Sequence, residues 1–311
     1  MSIEPIYLSI DKLFHSAFVF RVPKYQRNYA WDEEQINDFL EDLMKCYESA
    51  KSGNRRHHFF GGIVSIEKSV TGSSRSDCEI VDGQQRLATF IILMSRVIKI
   101  CEELQREATA SNDHDNKDLA QSRIPRLQET YLIFKDEINR KPITLDKVEL
   151  SGPDQRFFKD LLYNVTPPPV PNRESHNRLL DAFERLEKNL RDILSTKSSI
   201  GDRLDILKAI EDILIEDFTV IHITTESKGE AYRLFQVLNN RGMSLTAGDL
   251  LRSSTLELLD NPTFTNQQDS AEATWDNILS PQPEITEAFL RTYFSSVHGK
   301  RPSRVKLQIK E

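Results

Sequence analysis

Residues 80–89 read IVDGQQRLAT. An acid, a glycine, two amides and an arginine fill the turn between an apolar run and a long apolar-striped segment. A helix N-terminus carries unpaired N–H groups and the positive end of the macrodipole, a natural seat for phosphate. Gly83 lets the backbone turn sharply and approach a ligand closely. Gln84 and Gln85 offer amide donors, and Arg86 in the first helical turn offers a two-pronged fork for phosphate oxygens. Asp82, at the strand end, can hold a magnesium ion through water or orient an attacking water. Together these parts make an anion site, with a nucleoside triphosphate as the expected anion. The bland alternative is that Asp–Gly is an ordinary turn and the glutamine pair is solvated.

Three other stretches carry chemistry. In VPKYQRNYAW (Val22–Trp31), Arg27 can neutralise a phosphate. Tyr25 and Gln26 can stack on or hydrogen-bond a base or a DNA backbone group. A polar pair just after a rigid proline has no obvious packing role, so Gln26 and Arg27 are expected to be functional. Trp31 is expected in the core. In FFGG (Phe59–Gly62) the glycines mean either a bulge or a close backbone approach to a ligand. LNNRG (Leu238–Gly242) reads as a helix end with Gly242 just past the last turn. There Asn239 and Arg241 either reach a ligand or sit on a solvated cap. Asp249 reads as a cap paired with Thr246. The adjacent histidines His57 and His58 support no metal site.

Elements must hold these residues in place. FVFRVP (Phe18–Pro23) reads as a strand stopped by proline, and Asp32 opens a helix with the stripe Ile36, Phe39, Leu40, Leu43 and Tyr47. His58–Glu67 and the CEIVDG run read as strands, and Gln84 to about Arg106 as a helix. Ala108–Ser122 is polar and reads as a loop or linker. Helices are expected at Pro125–Asn139, Pro153–Tyr163, Ser175–Leu194, Ile200–Glu216, Gly229–Asn240, Thr246–Leu259, Ala271–Leu279 and Glu284–Ser295. Phe218–Glu226 alternates, is β-branched, and is expected to return to the first sheet. The expected fold class is α+β: a small α/β core over residues 1–107, then a mostly helical region over 108–311 that packs on it.

Composition limits the function. The formal net charge is −7 over 311 residues, so nucleic acid can be bound only through a local patch. Arg27, with Arg21, Lys24 and the basic tail from Lys300 to Lys310, is the expected patch. Cys46, Cys78 and Cys101 are far apart and form no CxxC pair, which argues against a zinc site or disulfide framework. A reducing cytoplasm fits this usage. The start lacks a basic segment followed by an apolar run, and no apolar stretch approaches the length of a membrane span. A cytoplasmic protein with no membrane partner is expected.

The four motifs, in this order, resemble the DGQQR family, the N-terminal domain of GmrSD-type (type IV) restriction and anti-phage defence proteins. IVDGQQRLAT is similar to its signature, and PKYQRNYAW to its Pro–x–Tyr–Gln–Arg–x–Tyr–x–Trp motif. FFGGIVSI is similar to its Phe–x–Gly strand, and Ala231–Ser253 to its Leu–Asn–x–Arg–Gly segment. The resemblance runs from about residue 10 to 300. It implies a ParB/sulfiredoxin-like fold in which the turn binds nucleotide phosphates. Gly83 and Arg86 match that turn, and Gln84 replaces the sulfiredoxin cysteine, so thiol chemistry is not expected. The resemblance further implies NTP hydrolysis with GTP, ATP or CTP and Mg²⁺, and a segment around Arg241 that packs back on the site.

The resemblance also implies a His–Asn–His nuclease, and nothing here matches one. None of His15, His57, His58, His114, His176, His222 and His298 sits in such a pattern. Glu226–Ser227–Lys228 lacks a good acid on a neighbouring strand, Asp217 being a poor candidate. The reading is therefore an NTP-hydrolysing sensor domain of a modification-dependent DNA restriction system. Its catalytic residues are Asp82, Gln84 and Arg86, with Asp82 also the metal ligand. Gly83, Gln85, Arg86, Asn239 and Arg241 bind nucleotide, and Tyr25, Gln26 and Arg27 bind DNA, modified or plain. Cleavage falls to another domain or a nuclease subunit, and a homo-oligomer stays open. The alternative is a non-hydrolysing module that reads modified DNA.

Overall fold

The computed structural model describes residues 5–24, 26–138, 140–165, 167, 169–227, 230–231, 247–259, 265–279 and 283–298. The chain divides into two compact units. One comprises Met1–Val22 and Asn28–Arg233, the other Pro23–Arg27 and Leu234–Glu311.

The first unit is built on a mixed six-stranded sheet. Its strands are β1 (Pro5–Ser9), β2 (Phe18–Arg21), β3 (His58–Ser69), β4 (Ser76–Asp82), β7 (Val148–Glu149) and β8 (Phe218–Thr225), in the order β1-β8-β3-β4-β2-β7. β8 enters from far along the chain and lies parallel to β3. β3 and β4 are antiparallel, and β2 runs parallel to β4. The short α1 (Ile10–His15) follows β1. In α2 (Glu33–Lys51), Asp32 and Gln35 form a reciprocal capping box, and Ile36, Phe39, Leu40, Leu43 and Tyr47 are buried.

Helix α3 (Gln84–Ala110) organises the rest. From Gln84 to Ile98 every residue except Arg86 is buried. A helix apolar on nearly all sides belongs inside a layer of other elements. It is surrounded by α4 (His114–Leu127), α5 (Gly152–Leu162), α6 (Glu174–Leu194) and α7 (Ile200–Asp212). The expected division after residue 107 therefore falls inside one continuous helix.

Two expected elements are corrected. Residues 108–122 are not a loop. α3 runs to Ala110, the Asp113 carboxylate caps α4 by accepting from the Asn116 N–H, and Ala120, Arg123 and Leu127 face inward. The polar composition belongs to the outer face of α4. Its inner face is tied to α7 by a buried ion cluster: Arg123 and Arg126 both donate to Glu211, at 2.9 and 2.7 Å. The expected helix Pro125–Asn139 is helical only as far as Leu132. A single π-helical turn, Gln128–Leu132, follows α4, and the chain then forms the hairpin β5 (Ile133–Ile138) and β6 (Lys141–Asp146). This two-stranded ribbon buries no residue fully, so it lacks the apolar face that marks a strand in sequence.

In the second unit, α8 (Ala247–Leu258), α9 (Thr265–Leu279) and α10 (Pro283–His298) pack on one another. Of the expected helix 229–240, Glu230 and Ala231 are described and helical; the rest of it and the Thr246 cap lie outside the described residues. Among the described residues, no helix is long and apolar enough to cross a membrane.

A histidine in the sheet interior links stability to pH. His222 on β8 is buried, and its Nε2 lies 2.9 Å from Ser65 Oγ. Burial pushes its pKa down from 6.5 to about 4. The unfolded chain thus takes up a proton near pH 6.5 while the folded chain stays neutral to about pH 4. Stability is full above pH 6.5 and falls as the pH drops towards 4, by about 3 kcal/mol over the window. Urea melts of the protein and of His222→Gln across this range should show the slope in the first and a flatter profile in the second.

Candidate phosphate-binding turn

Strand β4 delivers the turn. Asp82, half-buried, is its last residue and pairs with Val64 of β3. Gly83 follows with φ +98°, the left-handed region that a side chain strains to adopt. A Cβ there would lie 3.0 Å from both the Gly62 carbonyl oxygen and Ile63 Cγ1. Conformation and space both demand glycine. The first backbone bond of α3 runs from the Leu87 N–H to the Gly83 carbonyl at 3.1 Å, so the earlier amides of the turn have no acceptor within the helix. No side chain caps this end from position 83, and no acid stands in the first turn.

Arg86 occupies that first turn. A cation at a helix N-terminus opposes the macrodipole, at a cost of about 0.3–1 kcal/mol. Its guanidinium lies across Gly61 of β3. A Cβ on Gly61 would fall 2.4 Å from Arg86 Nε and 2.8 Å from Cζ, and Gly61 itself has φ +123°. Nη1 donates to the Gly62 carbonyl at 3.3 Å. Among the described residues, no carboxylate pairs with Arg86. β3 does bulge, with a register shift against β8 between Phe59 and Gly61, and what lies against Gly61 is the arginine of the turn.

The two glutamines are buried, Gln84 at 8% exposure and Gln85 at 7%. The Gln85 side chain faces the chain itself. Its Oε1 accepts from the Ala30 N–H at 2.8 Å, and its Nε2 donates to the Asn28 carbonyl at 3.2 Å. Other groups hold the same loop. The Tyr29 N–H donates to Asp154 Oδ2 at 2.9 Å, the Tyr29 hydroxyl bonds Thr89 Oγ1 at 2.7 Å, and Arg178 Nη1 donates to the Ala30 carbonyl at 3.2 Å. Asp154 also accepts from Ser175 Oγ at 2.6 Å. Burial pushes the Asp154 carboxyl up, while its bonds from Ser175 and the Tyr29 N–H pull it back. Burial likewise raises the Tyr29 phenol, so it stays protonated. Tyr29 lies in the core and Trp31 packs partly buried against it.

The remaining candidates fall as follows. Gln26 is buried and Arg27 half-buried, both in the second unit, where Arg252 Nη1 donates to the carbonyls of Gln26 (2.5 Å) and Lys24 (3.2 Å). Tyr25, Asn239, Arg241 and the tail from Lys300 lie outside the described residues. The Arg21 guanidinium lies 3.3 Å from Glu149 and 3.6 Å from Asp77, which offset part of its charge. Asp217 is buried and bonded by Arg55 Nε at 2.8 and 2.9 Å, a structural ion pair. Among the described residues, no group of three acids, histidines or cysteines could hold a metal. A magnesium ion held by one carboxylate and the substrate's own phosphates needs no such group, and Asp82 beside the turn fits that role.

Sequence reading missed Asp154, Thr89, Arg178 and Arg252. Asp154, Arg178 and Arg252 bond backbone groups of distant segments, and Thr89 bonds the Tyr29 hydroxyl; no local spacing signals such bonds.

Residues 10–256 match the family model described as "GmrSD restriction endonuclease, N-terminal domain". No curated protein matches the chain.

Proposed function

Because the chain belongs to the family of GmrSD restriction endonuclease N-terminal domains, a component of restriction systems, we propose that it binds and hydrolyses a nucleoside triphosphate and so licenses DNA cleavage by another domain or subunit. One observation carries this reading. An arginine is lodged over a glycine at a helix N-terminus that has no acid in its first turn. Such an arrangement is unfavourable alone and favourable with an anion in place.

The roles follow from position. The backbone at Gly83 and the first-turn amides take the phosphate oxygens. Arg86 adds its fork from its seat over Gly61. Gln84 orients the attacking water, and Asp82 takes the proton or holds the ion. Magnesium, when bound, neutralises charge spread over the transferring phosphoryl group. Catalysis of this kind is mostly positioning and electrostatics. In the same proposal, Asn239 and Arg241 add to the nucleotide site, and Tyr25, Gln26 and Arg27 read DNA, modified or plain.

Phosphate release from ATP, GTP and CTP, each with no DNA, plain DNA and modified DNA, tests the proposal. Turnover that modified DNA alters is the expected result. DNA binding with no turnover for any nucleotide would instead favour a non-hydrolysing reader of modified DNA.

A glycine pair supplies a sharper check. Gly61→Ala adds a methyl where Arg86 now lies, on a backbone that disfavours any side chain. It should cost nucleotide affinity about as much as removing Arg86, roughly 2–4 kcal/mol. Gly62→Ala meets open space and should bind as the parent does. Calorimetry on the two variants compares them directly. Equal affinities would mean that the seat of Arg86 has no bearing on the nucleotide.

A further inference from the structure

We infer that Gln85 is a positioning residue, which locks the phosphate turn to the Asn28–Ala30 loop and does not touch the nucleotide with its side chain. The inference rests on the nucleotide reading of the turn. Its support is geometric. The side-chain amide of Gln85 pairs with residues 28 and 30 as a neighbouring strand would, accepting from one N–H and donating to one carbonyl. Both Gln85 and Tyr29 are buried, at 7% and 5% exposure. A buried amide pointed at the protein has little left to offer a ligand in the turn.

The loop cannot drift independently. Asp154 on α5 holds the Tyr29 N–H, Thr89 on α3 holds its hydroxyl, and Arg178 on α6 holds the Ala30 carbonyl. Two of the clamping residues, Gln85 and Thr89, stand on the first turns of α3, the helix whose N-terminus would receive the phosphates. Anything that tightens that end of α3 therefore tightens Asn28–Ala30. The next residues towards the N-terminus are Tyr25, Gln26 and Arg27, the proposed DNA readers.

Hydrogen exchange read by mass spectrometry tests this, with calorimetry on the same samples. The probe is ATP, GTP or CTP with Mg²⁺, whichever the parent protein binds. In the parent, nucleotide should slow exchange of the peptide spanning residues 28–31 by about tenfold, the scale of one hydrogen bond's free energy. Gln85→Met keeps the length of the side chain and its burial but loses both bonds. It should bind nucleotide within about threefold of the parent. Exchange at Ala30 should be faster without nucleotide, and the nucleotide-dependent slowing should vanish. Gln85→Asn, one methylene short of spanning both partners, should behave likewise, and decides the matter if the methionine variant does not fold. Loss of affinity as deep as that of Arg86→Ala would make Gln85 a ligand contact and overturn the inference. So would slowing that persists in either variant. If the parent binds nucleotide and the 28–31 peptide does not respond, only this inference falls. If the parent binds no nucleotide, the reading beneath it falls as well.

Discussion

Arg86→Ala should lower nucleotide affinity by roughly 30- to 1,000-fold, the equivalent of about 2–4 kcal/mol for removing one partner of a desolvated charge pair. The fold should be untouched. Arg86 makes one 3.3 Å bond to the Gly62 carbonyl and is only half-buried. Removing a cation from a helix N-terminus even relieves about 0.3–1 kcal/mol of unfavourable dipole interaction, so the melting temperature should stay or rise slightly. Loss of binding with no loss of stability is the signature of a residue kept for a ligand. Arg86→Lys should fall between, because an ammonium supplies charge without the planar fork. A folded alanine variant that binds as the parent does, measured by calorimetry, would remove the arginine from the site.

That signature also explains what the sequence could reveal. The turn was legible because its residue types are jointly uneconomical as structure: a left-handed glycine, then an arginine opposing the helix dipole. The returning strand was legible too, since Phe218–Thr225 is β-branched and alternates, and it takes its place beside β3. Helix α2 announced itself through its acidic cap and apolar stripe. The failures share a cause. The hairpin Ile133–Asp146 buries no residue fully, and α4 buries only Ala120, Arg123 and Leu127, so neither has an apolar pattern strong enough to outweigh its polar composition. The role of Gln85 was hidden for another reason. A glutamine beside a phosphate turn looks the same in sequence whether its amide faces the ligand or the Asn28–Ala30 backbone. Only the fold, which brings residues 55 and 57 positions apart to hydrogen-bonding distance, separates the two.

Asp82→Asn should leave nucleotide affinity nearly intact and cut turnover by about 10²- to 10⁴-fold, the range for losing a positioned acid–base group. The choice of asparagine matters. Asp82 ends β4, pairs with Val64 and precedes a left-handed glycine, so it could be no more than a turn former. Asparagine forms such turns as readily as aspartate and has nearly the same shape. It therefore keeps the structural role and deletes only the negative charge and the basic oxygen. Asp82→Ala deletes both, and comparing the two variants separates the contributions. Single-turnover rates at saturating nucleotide isolate the chemical step from binding and product release. The two largest effects then divide cleanly along the turn: Arg86, on the helix, governs affinity, and Asp82, on the strand, governs rate. An Asp82→Asn protein that hydrolyses at the parent rate would leave Asp82 as a turn residue and move the search for the catalytic acid elsewhere in the chain.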